Sequence, residues 1–271
     1  MQGTSRGSLV AAQERLETLL GAPGTDRFAI GDALFAVTGV LDSSASLRRA
    51  LTDPSRDGEA KAALVVRLLD AKVDGAVVDL VAGLARSRWA RSRDLADAVE
   101  QLAVTAVVAS AQAAGELDRL EDELFRFRRT VDGDPELRSA LTDRTASGER
   151  KATLVSDLIE AKVAPATLRL ARQAVLASRG LRLDAVLTTY GEVAAKRREQ
   201  LVAHVVAALP LDHVQRERLA AALARKYGHQ VQLNVDVDPG VLGGIRVEIG
   251  DEVLDGTIAR RLDDARRRLA R

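Results

Sequence analysis

The sequence predicts a mainly α-helical protein: a tandemly duplicated N-terminal helical bundle over residues 1–200, then a small α/β domain over 201–271. Three observations carry this expectation. The stretch LRRALTDPSRDGEAKAALVVRLLDAKV at Leu47–Val73 returns as LRSALTDRTASGERKATLVSDLIEAKV at Leu137–Val163, identical at 16 of 27 positions, offset by 90 residues without a gap. Aromatic residues are only 3% of the chain, so its packing rests on Leu, Val and Ala. Beyond about Leu201 the spacing of apolar residues changes from helical to alternating.

Within the repeat, Leu64, Val65, Leu68 and Leu69 share one helical face, as do Leu154, Val155, Leu158 and Ile159. Asp57 and Ser147 stand in the same slot before this helix, where a side-chain oxygen caps the first turn. A shorter helix precedes it. Asp134-Pro135-Glu136 gives that helix a cap, a proline at the first helical position and an early acid, and Ser44-Ala45-Ser46 offers the same kind of cap. Segments near 5–20, 26–42, 75–87, 92–113, 116–132, 165–178 and 182–200 also read as helices, rich in Ala, Leu, Arg and Glu. Repeat 1 then covers about 1–110 and repeat 2 about 92–200. The helix near 92–113 ends the first bundle and begins the second, giving a continuous double bundle.

In the last portion, Val231–Val237 alternates apolar and polar residues, Ile245–Ile249 does the same, and Val202–Leu209 makes a third strand. Asp212–Tyr227 reads as a helix, with Asp212 and Gln215 spaced as a capping box. Pro239-Gly240 and Gly250-Asp251 mark turns, the second before Val253-Leu254. A terminal amphipathic helix aligns Ile258, Leu262, Ala265 and Leu269, with Arg266-Arg267-Arg268 on its wet side.

Composition removes several function classes. Charged residues are 29% of the chain with a net charge of +1, so nothing draws the whole molecule to nucleic acid or an anionic membrane. Cysteine is absent, which excludes disulfides, thiolate metal sites and a thiol nucleophile. The N-terminus lacks the apolar core of a signal peptide, and no run approaches the roughly 18 apolar residues of a membrane-spanning helix. The expectation is a soluble, cytoplasmic protein.

No catalytic constellation stands out. His204, His213 and His229 lack the spacing of helical metal ligands. Residues 239–244 are glycine-rich without the Gly-Lys-Ser/Thr of a P-loop, and Gly250-Asp251 suits a hairpin better than an acid catalyst. Arg86, Arg88, Arg91 and Arg93 surround the only tryptophan, Trp89, a combination able to stack bases or grip phosphates. Asp94, Asp97 and Glu100 follow at once and dilute that field, which favours a helix–helix junction with Trp89 packed inside, or a protein contact.

The run VLGGIRVEIGDEVLDGTIARRLDDARRRL resembles the C-terminal hallmark of the δ subunit of bacterial F-type ATP synthases, the relative of the mitochondrial oligomycin-sensitivity-conferring protein (OSCP). Gly243, Gly244, Gly250, Asp251, Val253, Asp255, Gly256, Arg261 and Leu262 carry the match, in the family's order. The resemblance implies a non-catalytic stator subunit without cofactor or metal, of a proton-translocating complex at the cytoplasmic face of the plasma membrane. Its helical bundle would grip N-terminal segments of α subunits, and its C-terminal part would engage the b stalk. No nucleic acid or direct membrane insertion is implied. The repeat makes the chain similar to long, actinobacterial family members, with b expected as a separate chain. Trp89, Ile258, Leu262 and Leu269 are candidate partner contacts. A helical-repeat scaffold unrelated to the synthase is the competing reading.

Overall fold

The computed structural model describes residues 3–143, 145–176, 182–198, 201–227, 231–238, 240, 243–249 and 252–255. Its contacts divide the chain into two units, Met1–Arg197 and Arg198–Arg271.

The first unit is all α: α1 (Gly3–Gly21), α2 (Arg27–Ser43), α3 (Ala45–Thr52), α4 (Gly58–Leu69), α5 (Gly75–Arg86), α6 (Ser92–Ala113), α7 (Leu117–Gly133), α8 (Pro135–Thr142), α9 (Gly148–Ile159), α10 (Pro165–Leu176) and α11 (Leu183–Arg198). Helices α2 to α5 reappear as α7 to α10 with both ends displaced by 90 residues. On the same offset, α1 corresponds to α6 and α6 to α11. Helix α6 therefore serves both copies. It is buried nearly all round, from Asp94 and Leu95 to Ala111, as a helix at the centre of a larger bundle must be. One continuous apolar core runs from Leu9 to Ala194.

The identities between copies are accounted for by folding. Arg48 donates to the carbonyls of Leu41 and Asp42 at the end of α2, and Arg138 donates to those of Val131 and Asp132 at the end of α7. These arginines satisfy helix C-terminal acceptors that have no intrahelical partner. Thr52 and Thr142 each donate to the backbone of the preceding arginine at 2.7 Å. Asp53 closes a turn by accepting from Ser55, and Asp143 does so from Thr145; those bonds hold both carboxyls below their ordinary range. Leu51, Ala62 and Val65 are buried, as are Leu141, Ala152 and Val155.

The expected caps form: Ser44 bonds Leu47 N, Asp57 bonds Glu59 N and Ala60 N, Asp134 bonds Glu136 N and Leu137 N, and Ser147 bonds Arg150 N. At the centre of copy 1, α2 and α6 pack closely through Gly31. A β-carbon there would lie 2.5 Å from Val107 Cγ2 and 3.2 Å from the Ala103 carbonyl oxygen. Copy 2 carries Glu121, Val193 and Arg197 at the positions of Gly31, Ala103 and Val107, and α7 and α11 pack far more sparsely.

The second unit comprises β1 (Leu201–Ala207), α12 (His213–Tyr227), β2 (Val231–Val237), β3 (Ile245–Ile249) and β4 (Glu252–Asp255), in sheet order β2-β1-β3-β4. Strand β1 pairs parallel with β2 across the α12 crossover and antiparallel with β3, which forms a hairpin with β4. Asp212 and Gln215 cap α12 reciprocally, at 2.7 and 3.0 Å. Ala203, Val205, Val247 and Ile249 fill a small separate core with Leu223 of α12. Strand β2 alternates in sequence, yet its burial fades steadily toward Val237, because it is an edge strand covered on one flank only.

Candidate partner-binding surfaces

Trp89 lies in the turn between α5 and α6, 7% exposed, its indole N–H donating to the Leu84 carbonyl at 2.8 Å. The ring serves the chain's own core. Beside it, Ser5 Oγ donates to Asp94 Oδ2 at 2.7 Å and accepts the Ala90 N–H at 2.9 Å. Asp94 is buried, and Arg91 approaches its other oxygen at 3.3 Å. This network fastens the start of α1 to the first turn of α6. Arg86 forks onto Glu59 at 2.8 and 3.0 Å; that hydrogen bonding raises the guanidinium's pKa and lowers the carboxyl's. Two of the four arginines around Trp89 thus have carboxylate partners within the bundle, which weakens the case for a phosphate-gripping patch.

Three polar links bind α10 and α11 of copy 2 to copy 1. Arg169 pairs with Asp32 and lies over the Phe35 ring, 4.2 Å from its centroid. Tyr190 Oη donates to Glu100 at 3.0 Å. Arg197, almost buried, donates to Glu17 through both terminal nitrogens at 2.7 and 3.2 Å and to Gln112 through Nε at 2.7 Å. None of these residues was a sequence-level candidate. The available signal was substitution within the repeat: Arg197 stands where the first copy has Val107, and Arg169 where it has Asp79.

Glu123 was missed for the same reason. In copy 1 the N-terminus of α5 is capped by its own Asp74, which accepts from Ala76 N. Copy 2 has Ala164 at that position, and Glu123 of α7 reaches across to accept from Ala164 N at 2.9 Å and Thr167 Oγ1 at 2.6 Å. Burial pushes the Glu123 carboxyl up, but these bonds and Arg119 outweigh it, and its pKa is lowered.

In the second unit, Gly243 and Gly244 adopt φ of 66° and 88° on entering β3, a left-handed bend that glycine accepts without strain. The core-opposed face of the sheet places Asn234, His204, Glu248 and Val253 in one cross-strand row. Val253 is exposed there, and Asp255 is paired in register with Arg246. Gly250, Asp251, Gly256, Ile258, Arg261, Leu262 and Leu269 lie outside the described residues. Among the described residues no cluster of acids and histidines is arranged to hold a metal, and no single helix is long and apolar enough to cross a membrane.

The sequence model of the ATP synthase delta (OSCP) subunit matches residues 99–269. The chain belongs to that family. It is 56% identical over 268 residues to ATP synthase subunit delta of Kineococcus radiotolerans, covering 99% of this chain and 97% of that one. It is 50% identical to the Streptomyces griseus protein of the same name over the full length of both, and 51% identical to that of Streptomyces coelicolor over all of this chain and 98% of that one. Among solved structures, a chain of the Toxoplasma gondii mitochondrial ATP synthase hexamer is similar at 19% identity and a TM-score of 0.29, covering 62% of this chain and 95% of that one. The full-length likeness to delta subunits of its own size means that the matches to those relatives span the duplicated region too.

Proposed function

We propose that this delta (OSCP) family chain is a non-catalytic peripheral-stalk subunit of a proton-translocating F-type ATP synthase. It links the α/β catalytic head to the b stalk and resists the torque that the rotor imposes on the head. The helical unit takes N-terminal segments of α subunits, and the C-terminal unit engages b. In this reading the chain reaches the cytoplasmic face of the plasma membrane only through the complex. The carrying observation is the full-length identity to delta subunits. The interior supports it, because a long continuous apolar core resists load better than screened surface ion pairs, which are individually weak. An amphipathic helix laid on a bundle surface is the expected mode of recognition for such a partner.

The test is binding of the purified chain to its organism's catalytic head and to the soluble part of b, repeated with halves separated after Arg198. Head binding by the helical half, with b requiring the C-terminal half, is the expected result. Binding to neither partner overturns the proposal in favour of an unrelated scaffold.

A further inference from the structure

The internal repeat permits a comparison of surfaces within one molecule. Phe35 on α2 is 3% exposed, and its partner in register, Phe125 on α7, is 51% exposed. Phe35 is covered because copy 2 follows copy 1: Arg169 of α10 spreads over the ring and pairs with Asp32 one turn earlier. Asp122 occupies the place of Asp32 on α7, so the carboxylate and the aromatic ring that seat an arginine in copy 1 recur together in copy 2. No third copy follows to cover them. Among the described residues Asp122 meets only Arg126 of its own helix, with both side chains more than half exposed, and Arg128 overlies Phe125 at 5.3 Å while leaving half the ring open.

We infer that the Asp122–Phe125 face of α7 docks a helical segment of another subunit of the complex, one presenting an arginine among small aliphatic residues. The template is α10 itself, where Arg169 is flanked by Leu168, Leu170 and Ala171. Guanidinium over an aromatic ring with a carboxylate alongside is a favoured pairing for arginine at protein interfaces. Charge argues against a second copy of this chain as the occupant. Stacking a further molecule in the same manner would bring its α5 to the place of α10, and α5 carries the exposed Asp79 at the Arg169 position. Asp79 would then confront Asp122. This inference rests on the peripheral-stalk reading, since it draws the partner from that complex.

The chain has no cysteine, so Phe125→Cys introduces a unique label site. The probe is the organism's synthase depleted of this chain and reconstituted with the variant. Shielding is expected: maleimide labelling of the new thiol slows at least tenfold on assembly relative to the free chain. Asp122→Arg, made in the otherwise natural chain, weakens rebinding at least tenfold, whereas Asp132→Arg, the same charge change at an exposed position of α7, leaves it unchanged. If the chain rebinds but the thiol labels as fast as in the free protein, or Asp122→Arg binds as tightly as Asp132→Arg, the docking face is refuted and the peripheral-stalk reading stands. A concentration-dependent dimer that shields the thiol refutes the foreign segment as occupant. If the natural chain does not rebind at all, the peripheral-stalk reading falls and this inference with it.

Discussion

Gly31→Ala sets two physical effects against each other, and the sign of the result decides between them. By helix propensity alone, replacing glycine with alanine inside a helix stabilises by about 1 kcal/mol. The geometry predicts the opposite. The new methyl would lie 2.5 Å from Val107 Cγ2, with the Ala103 carbonyl oxygen and the Val107 nitrogen both at 3.2 Å. Val107 is fully buried, so its side chain has nowhere to withdraw, and the two backbone atoms move only if α6 moves. Overpacking of this kind costs about 1–3 kcal/mol, and α6 belongs to both copies, so we expect the upper part of that range. Net destabilisation should be about 1–2 kcal/mol, which lowers the melting temperature by roughly 2–8 °C in a unit of this size. Gly39→Ala on the same helix is the control: nothing stands within 4 Å of its β-carbon position, and it should be stabilising by up to about 1 kcal/mol. Trp89, the only tryptophan and buried in this unit, reports the unfolding by its fluorescence. Val107→Ala should restore part of the loss when combined with Gly31→Ala, since it removes the nearer obstacle but not the backbone ones. Were Gly31→Ala to stabilise as much as Gly39→Ala, the account of the α2–α6 crossing would be wrong.

Other perturbations test one contact within copy 2 and one between the copies. Glu123→Gln should cost about 1–2 kcal/mol at neutral pH, since it weakens both the cap on α10 and the Arg119 contact. Because the folded-state pKa of Glu123 lies below its ordinary value of 4.5, that contribution is complete above 4.5 and fades as pH falls through the lowered value. Wild type and variant should therefore converge in urea melts as the solution is acidified; a constant gap would show that the charge is not what matters. Arg197→Ala should destabilise by about 2–3 kcal/mol, while Arg197→Met loses less because the stem still fills its space. Hydrogen exchange should rise first in α11 for both; a rise confined to α1 would mean that Glu17, not α11, depends on the contact.

The repeat made the fold legible well beyond what periodicity alone allows. One clear cap at Asp134-Pro135 located the start of α8 and, through the offset, that of α3. The same offset led to α6 as a shared helix, because a residue range belonging to two copies must lie between them. What stayed hidden was whatever depends on distant residues meeting. Ala164 looks like an uncapped helix start until Glu123, 41 positions earlier, is seen above it. Glu17 and Arg197 are 180 positions apart, and nothing local marks either as a partner. Trp89 beside four arginines read in sequence as a packed helix–helix junction or a protein contact, and the bond from its indole N–H to the backbone beneath it is visible only in the turn geometry. In the C-terminal unit, alternation marked Val231–Val237 and Ile245–Ile249, and the turn expected before Val253-Leu254 pointed to a hairpin, whereas the strand order and the edge position of β2 follow from pairing, which alternation does not encode.

Whether the extra copy is required can be asked by deletion, and the structure determines how the deletion must be made. Removing residues 47–136 joins the two copies in register and leaves the helix order α1, α2, α8, α9, α10, α11. It also removes Glu123, so α10 begins at Ala164 with neither its own capping residue nor one from α7; the register partner of Glu123 on the retained α2 is Ala33. Loss of a cap costs about 0.5–2 kcal/mol, and failure of this protein to fold or assemble would say little about the missing copy. Removing residues 75–164 instead joins Asp74 directly to Pro165 and keeps the native cap of α5 ahead of α10. Both shortened chains place Gly31 of α2 opposite Arg197 rather than Val107, so both lose the tight crossing to the same degree. The second should melt higher, by the value of the cap, and adding Ala164→Asp to the first should close most of that difference. A shortened chain restored in this way that still assembled and coupled ATP synthesis normally would show that a single copy suffices. Assembly without coupling would instead assign the second copy a mechanical part, since binding would then survive where transmission of load did not.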